Sequence, residues 1–233
     1  MFNANDKILI VAAHPDDEII GCGGTILKAK ALGCAVSVIF LGEGVSARYP
    51  NNEKSKKSLN AQIVRKNECI KCLKILGIKD YQFGFLLCTR FDTYPLVEIV
   101  RIIEKKINNF KPSIVFTHNP NEINVDHTIA YKAVEIATRP YKKKYLRSIY
   151  SFEIVCSGNF AFKNNFFPNV YVDIKKFWKK KLLAFKAYKN EIRKYPFPRS
   201  IKGLEIQARY RGCLLYTSPS PRDRTRSRMP SSA

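Results

Sequence analysis

An unbroken apolar run, Ile8-Leu9-Ile10-Val11-Ala12-Ala13, stops at a charged cluster, His14-Pro15-Asp16-Asp17-Glu18. A run that is apolar at every position, not at alternate ones, predicts a strand buried on both faces, over residues 7–13. A second such run predicts a strand over 35–41, closed by Gly42-Glu43-Gly44. Shorter runs predict strands over 81–86 and 113–117. Between them the apolar spacing turns helical. Helices are predicted over 25–32 (ended by Gly33), 59–76 (ended by Gly77), 94–108 and 127–138. In the third of these, Leu96, Val97, Val100, Ile103 and Ile107 mark one face. Residues 46–58 are polar and rich in Lys and Asn, which predicts a mobile loop. The second half is less regular, with strands predicted over 149–155 and 170–174 and a Lys-rich helix over 177–188. Strands alternating with helices predict an α/β fold of Rossmann-like, three-layer form, with a mostly parallel sheet.

Composition narrows the class. With 233 residues and 45% apolar content the chain can bury one sizeable core. No apolar run approaches the ~18 residues of a membrane span, and the first residues do not read as a signal peptide. Seven scattered cysteines, mostly within apolar stretches, predict buried free thiols in a reducing cytoplasm. Cys69 and Cys72 lack a second pair at zinc-ribbon spacing and fall in a helical pattern. The formal charge of +22 favours an anionic substrate or peripheral contact with an anionic membrane. No RNA-recognition motif or zinc-finger spacing accompanies it, so no specific nucleic-acid partner is expected.

Residues 213–233 differ in kind. They carry no core periodicity and resemble the conceptual translation of a sequencing-library adapter. They are expected to be a disordered, non-native tail standing where the natural C-terminus belongs, with residues 1–212 forming a single domain.

The candidate chemistry lies where strands end. An imidazole and two carboxylates follow the first strand, at the edge where open α/β sheets bind ligands. Together they can hold a divalent metal and still spare a carboxylate for proton transfer. The chain has three histidines, His14, His118 and His127. All fall at the ends of two predicted strands or the start of the next helix, beside Asp16, Asp17, Glu122 and Asp126. The glycines 21, 23 and 24 lack both dinucleotide and P-loop spacing, so close helix packing accounts for them better than phosphate binding.

These motifs resemble the PIG-L/LmbE family of zinc-dependent N-deacetylases. Ala13 to Glu18 is the intact AHPDDE motif; residues 118–127 match H-x-P-x-[DE]-x-N-x-D-H; residues 65–77 match R-x-x-E-x-x-x-x-L-x-x-L-G. The resemblance implies a metal-dependent hydrolase that removes the N-acetyl group from an N-acetylglucosamine-type conjugate, including phosphorylated or lipid-linked ones. It implies zinc, or another divalent transition metal, on His14, Asp17 and His127, with Asp16 as general base. Asn124 stands where many members carry a histidine, and its amide can donate to an oxyanion. Asp126 would either orient a neighbouring group or cap the following helix. Arg65 would hold substrate hydroxyls or a phosphate, or else lie on a solvated helix face. His118 would line the substrate pocket or cap the strand end. Glu18 is expected to serve the helix dipole. The same scaffold admits a deformylase or other amidase, or a metal-binding homologue without turnover.

Overall fold

The computed structural model describes residues 2–51, 54–140, 144–160, 162 and 166–217. The first unit, residues 1–192, is built on five strands: β1 Lys7–Ala12, β2 Ala35–Gly42, β3 Asp80–Leu86, β4 Ile114–His118 and β5 Ser148–Phe152. They form one parallel sheet in the order β3-β2-β1-β4-β5, with Ile10 opposite both Val38 and Phe116. Parallel neighbours need crossovers, and helices supply them: α1 Asp17–Ala31, α2 Lys56–Leu76, α3 Leu96–Phe110 and α4 Val125–Ala137. α3 and α4 pack on one face of the sheet, where Leu9, Val11, Ile39, Leu41 and Val115 meet Ile99, Ile103, Ala130 and Ala133. On the other face lie α1, α2 and α5 Trp178–Phe185. This is the expected three-layer α/β arrangement. No described helix is long and apolar enough to cross a membrane.

The chain leaves β1 towards β2 and β3 on one side, then returns to build β4 and β5 on the other. The order reverses between β1 and β4, so their carboxyl ends flank the crevice where such sheets bind ligands. His14 follows β1 and His118 closes β4.

Three expectations need correction. α1 begins at Asp17, not at residue 25, so the glycine cluster lies inside the helix. Each glycine costs up to ~1 kcal/mol of helix propensity, but packing overrides it. A Cβ at Gly21 would stand 2.4 Å from the Phe152 ring, and one at Gly24 would stand 2.6 Å from Ile174. Residues 170–174 form no strand; Ile174 instead covers the bare backbone at Gly24. Within 46–58, Ser46–Arg48 make a 3-10 turn and α2 starts at Lys56, with Ser55 Oγ accepting from the Ser58 N–H at 3.3 Å. Gly77 ends α2 as expected, with φ of 75°. The second unit, residues 193–233, contains α6 Ile201–Thr217. Residues 218–233 of the expected tail lie outside the described residues.

Candidate metal centre

The turn from β1 into α1 carries the AHPDDE residues in a strained form. Asp16 has φ of 118°, a conformation that side chains with a Cβ rarely adopt and that persists only where surroundings enforce it. The surroundings are visible. The Asp16 N–H donates to Glu18 Oε2 at 2.9 Å, and Glu18 Oε1 accepts from Tyr188 OH at 2.7 Å. The His14 N–H donates to Asp17 Oδ2 at 2.8 Å. Glu18 is fully buried, and burial pushes its carboxyl up to about 7. Its task is therefore to anchor this turn from within, beyond any helix-dipole effect.

His14, Asp17 and His127 converge as expected. One ligand atom of each lies within 4.8 Å of the others, and all three residues are buried. The atoms facing one another are His14 Nδ1, 3.8 Å from Asp17 Oδ2, and His127 Nε2, 3.5 Å from Asp17 Oδ1. The remaining ring nitrogens are both taken by carboxylates. His14 Nε2 lies 2.8 Å from Asp126 Oδ2, and His127 Nδ1 bonds Glu122. Burial alone would raise the Asp17 carboxyl, but the imidazoles of His127, His118 and His14 hold it well below the usual carboxylate range. Two imidazoles and an ionised carboxylate, each imidazole fixed by a carboxylate behind it, fit a divalent transition metal and leave positions open for water and substrate.

Asp16 stands beside this set without joining it. Its Oδ2 lies 3.2 Å from Arg65 NH1, which also donates to the Pro15 carbonyl at 2.7 Å. The other arm of Arg65 binds Glu191. Arg65 is 3% exposed. Its guanidinium thus braces the Asp16 turn, and Arg65 does not lie on a solvated helix face, the alternative expected of it.

His118 is fully buried and takes the second of the two places expected of it, at the strand ends. Its Nε2 accepts the Ala13 N–H at 2.9 Å and its ring stacks on His127 with centroids 4.0 Å apart. It is a wall behind the ligands, and it fixes the end of β1 to the end of β4.

The two readings of Asp126 separate cleanly. Asn124 is the cap of α4, its Oδ1 accepting from the Asp126 N–H at 3.0 Å. Asp126 is therefore free to serve His14, and its own oxygens are set by the N–H groups of Thr89 at 2.5 Å and Phe91 at 3.0 Å. Capping occupies the oxygen of Asn124 and leaves Nδ2 as the donor it can offer.

Sequence reasoning gave no role to Glu122 or Glu191. Glu122 was placed beside the histidines, within the second motif five residues before His127, but its bond to His127 Nδ1 was not foreseen. Glu191 lies 126 residues from Arg65 and carries no local signal.

The sequence is similar to known deacetylases. Residues 9–138 match the family model PIG-L, described as GlcNAc-PI de-N-acetylase. The chain is 28% identical over 192 residues to the "Probable N-acetyl-alpha-D-glucosaminyl L-malate deacetylase 2" of Bacillus anthracis, covering 79% of this chain and 80% of that one. It is 29% identical over 203 residues to the diacetylchitobiose deacetylase of Thermococcus kodakarensis, covering 82% and 72%. Among solved structures, GalB, the 4-carboxy-2-hydroxymuconate hydratase of Pseudomonas putida KT2440, superposes with a TM-score of 0.69 at 19% identity, covering 91% and 88%.

Proposed function

Because the chain belongs to the PIG-L family, whose model spans residues 9–138, we propose that it is a hydrolase removing the acetyl group from an N-acetylated amino sugar of the N-acetylglucosamine type. The fold alone does not carry this, since a hydratase shares it. The family match and the two deacetylase relatives supply the substrate class. The carrying observation is the buried His14–Asp17–His127 set with a strained, arginine-held Asp16 beside it.

His14, Asp17 and His127 would hold the ion. Zinc is the first choice and iron, cobalt or nickel fit the same donors. When bound, the ion supplies Lewis acidity, acidifying water and polarising an amide carbonyl. The chain's own residues do the rest. Asp16 accepts the proton of the attacking water, a task its ionised form can perform with Arg65 at 3.2 Å. Asn124 Nδ2 donates to the oxyanion of the tetrahedral intermediate. Asp16 then returns its proton to the departing amine, acetate leaves, and the amino sugar is freed. Burial of the ligand set keeps bulk water from competing with that transfer.

The +22 charge supports an anionic conjugate, phosphorylated or lipid-linked, as substrate and peripheral contact with an anionic membrane. Seven free cysteines support a cytoplasmic setting.

Acetate release from a panel of N-acetylglucosamine conjugates, with and without chelator, tests the reading. Activity is expected to disappear on chelation and return with zinc. Activity that survives chelation refutes it, and formate release from N-formyl analogues without acetate release makes the enzyme a deformylase.

A further inference from the structure

A row of charged side chains leads from the general base to the surface. Asp16 Oδ2 lies 3.2 Å from Arg65 NH1. Arg65 NH2 binds Glu191 Oε1, and the same oxygen accepts from Arg48 NH2. Asp16, Arg65 and Glu191 are nearly inaccessible, whereas the Arg48 side chain is 41% exposed. The signs alternate along the row, which ends on a cation that water can reach. The backbone holds that cation in place as well. Arg48 closes the 3-10 turn Ser46–Arg48. The Glu43 carboxylate organises the approach to it, accepting from the N–H groups of Val45 at 2.6 Å and Ser46 at 3.0 Å. Gly44, with φ of 77°, sits so near the metal loop that a Cβ there would stand 3.0 Å from His14 Cβ. Among the described residues Glu191 is the carboxylate that Arg48 meets, and a guanidinium has further N–H groups to donate. The deacetylation steps make no use of Arg48.

We propose that Arg48 is a specificity-determining residue, selecting conjugates that carry an oxyanion, phosphate or carboxylate, on the anomeric oxygen of the amino sugar. The inference rests on the deacetylase reading and deepens it by naming the group that recognises the conjugate. In N-acetylglucosamine the anomeric carbon adjoins the carbon that bears the acetamide. An anionic group on its oxygen therefore falls a few bonds from the amide that Asp16 serves. Arg48 is the solvent-reachable cation joined to Asp16 by the row, and an anion placed there extends the alternation by one charge. A row of alternating charges presents the sign of its last member, so the field at this surface is positive. Glu191, itself buried, fixes the guanidinium, so less side-chain freedom is lost when a ligand binds. The planar fork suits two oxygens of one phosphate or carboxylate, which a lysine would meet only as a point charge.

Acetate release by the full chain is followed with the neutral methyl glycoside of N-acetylglucosamine, with N-acetylglucosamine 1-phosphate and with the carboxymethyl glycoside. The unmodified chain is expected to favour an anionic substrate over the neutral one in kcat/KM, and the two anionic arms tell phosphate from carboxylate. Arg48→Gln should reduce that preference by about tenfold, the worth of one charge-assisted contact, and through KM. Arg48→Lys should keep part of it. Calorimetry on the metal-free chain should show the same weakening in Kd for the favoured anionic substrate. The ratio between substrates is the readout, because a disturbed fold or a misplaced Asp16 lowers all of them alike. A ratio unchanged in Arg48→Gln, or an unmodified chain with no preference for either anion, overturns the inference and leaves the deacetylase reading standing. Failure of that reading looks different: acetate is released from none of the substrates, which overturns both.

Discussion

His14 Nε2 and Asp126 Oδ2 lie 2.8 Å apart although 112 residues separate them in the chain. The contact joins the end of β1 to the first turn of α4, across the reversal in strand order. It fixes which nitrogen of His14 faces Asp17. It also makes that nitrogen a better donor, since a carboxylate opposite the N–H raises the basicity of the other ring atom. Asp126→Asn keeps the shape and removes the charge. Metal affinity is expected to fall by roughly 10–100-fold, with little change in the unfolding midpoint of the metal-free chain. Competition with a chromogenic chelator measures it; unchanged affinity would show that Asp126 serves only the packing of α4.

Asp16→Asn separates metal binding from catalysis. Asp16 is outside the converging donor set and contacts Arg65 through Oδ2, so the variant should bind the same single ion as the unmodified chain. Acetate release should drop by about 10²–10⁴-fold, the usual worth of a placed general base. The loss should fall on kcat. Were metal content to fall in step with activity, Asp16 would be a ligand and the proton-transfer role would be lost.

Arg65 and Glu191 answer a question of stability. The guanidinium lies between two buried carboxylates, Asp16 and Glu191, and all three side chains are nearly inaccessible. Arg65→Met takes the guanidinium away from two buried carboxylates and leaves Glu191 to the half-exposed Arg48, and the expected cost is about 3–5 kcal/mol. Urea denaturation of the metal-free chain reads it. Glu191→Gln should cost less, because Asp16 still pairs with the arginine, and should lower kcat by releasing one arm of the group that aims the base. A solvated helix-face arginine would give a loss within ~0.5 kcal/mol, and that outcome would remove Arg65 from the site.

The alternation of runs and helical spacings made the sheet legible, because a strand buried on both faces is apolar throughout. The convergence of His14, Asp17 and His127 was legible because they sit in two short motifs at strand ends. What failed has one cause: burial against a partner distant in sequence. The early start of α1 depends on Phe152 and Ile174 covering glycines, and composition alone makes those glycines look like a loop. The Val170 to Ile174 stretch alternates like an edge strand, yet Ile174 is spent on α1. Nothing local in sequence showed that Glu191 would hold Arg65 or that the Ala13 N–H would take a nitrogen of His118.

Gly21 tests the tertiary argument directly. A Cβ there would stand 2.4 Å from the Phe152 ring, whose centroid is 4.7 Å from that of His118. Gly21→Ala gains helix propensity but must push Phe152 against the wall of the metal centre. Overpacking of this kind costs ~1–3 kcal/mol, so a net loss in stability with weakened metal binding is expected. Increased stability with unchanged metal affinity would mean that Phe152 has room to move.

Lys181 gives a pH dependence with a definite sign. Its ammonium is buried against α1, where Nζ donates to the Ile20 carbonyl at 2.9 Å, and burial pulls its pKa down to about 8, with the Cys22 thiol opposing weakly. In the unfolded chain a lysine titrates near ~10.4. Below pH 8 both states carry the proton and the folded state bears the full cost of the buried charge, on the order of 3 kcal/mol. Between about pH 8 and 10 the unfolded chain holds more protons than the folded one, so stability rises with pH. Lys181→Met keeps the volume and removes the charge. It should stabilise the protein at pH 7, and its advantage should shrink towards zero near pH 10. Comparing the two chains at each pH cancels the titration of the other cysteines and tyrosines. A constant offset from pH 7 to pH 10 would show that the ammonium is hydrated where it sits, and that Lys181 closes the face of α1 with its methylenes alone.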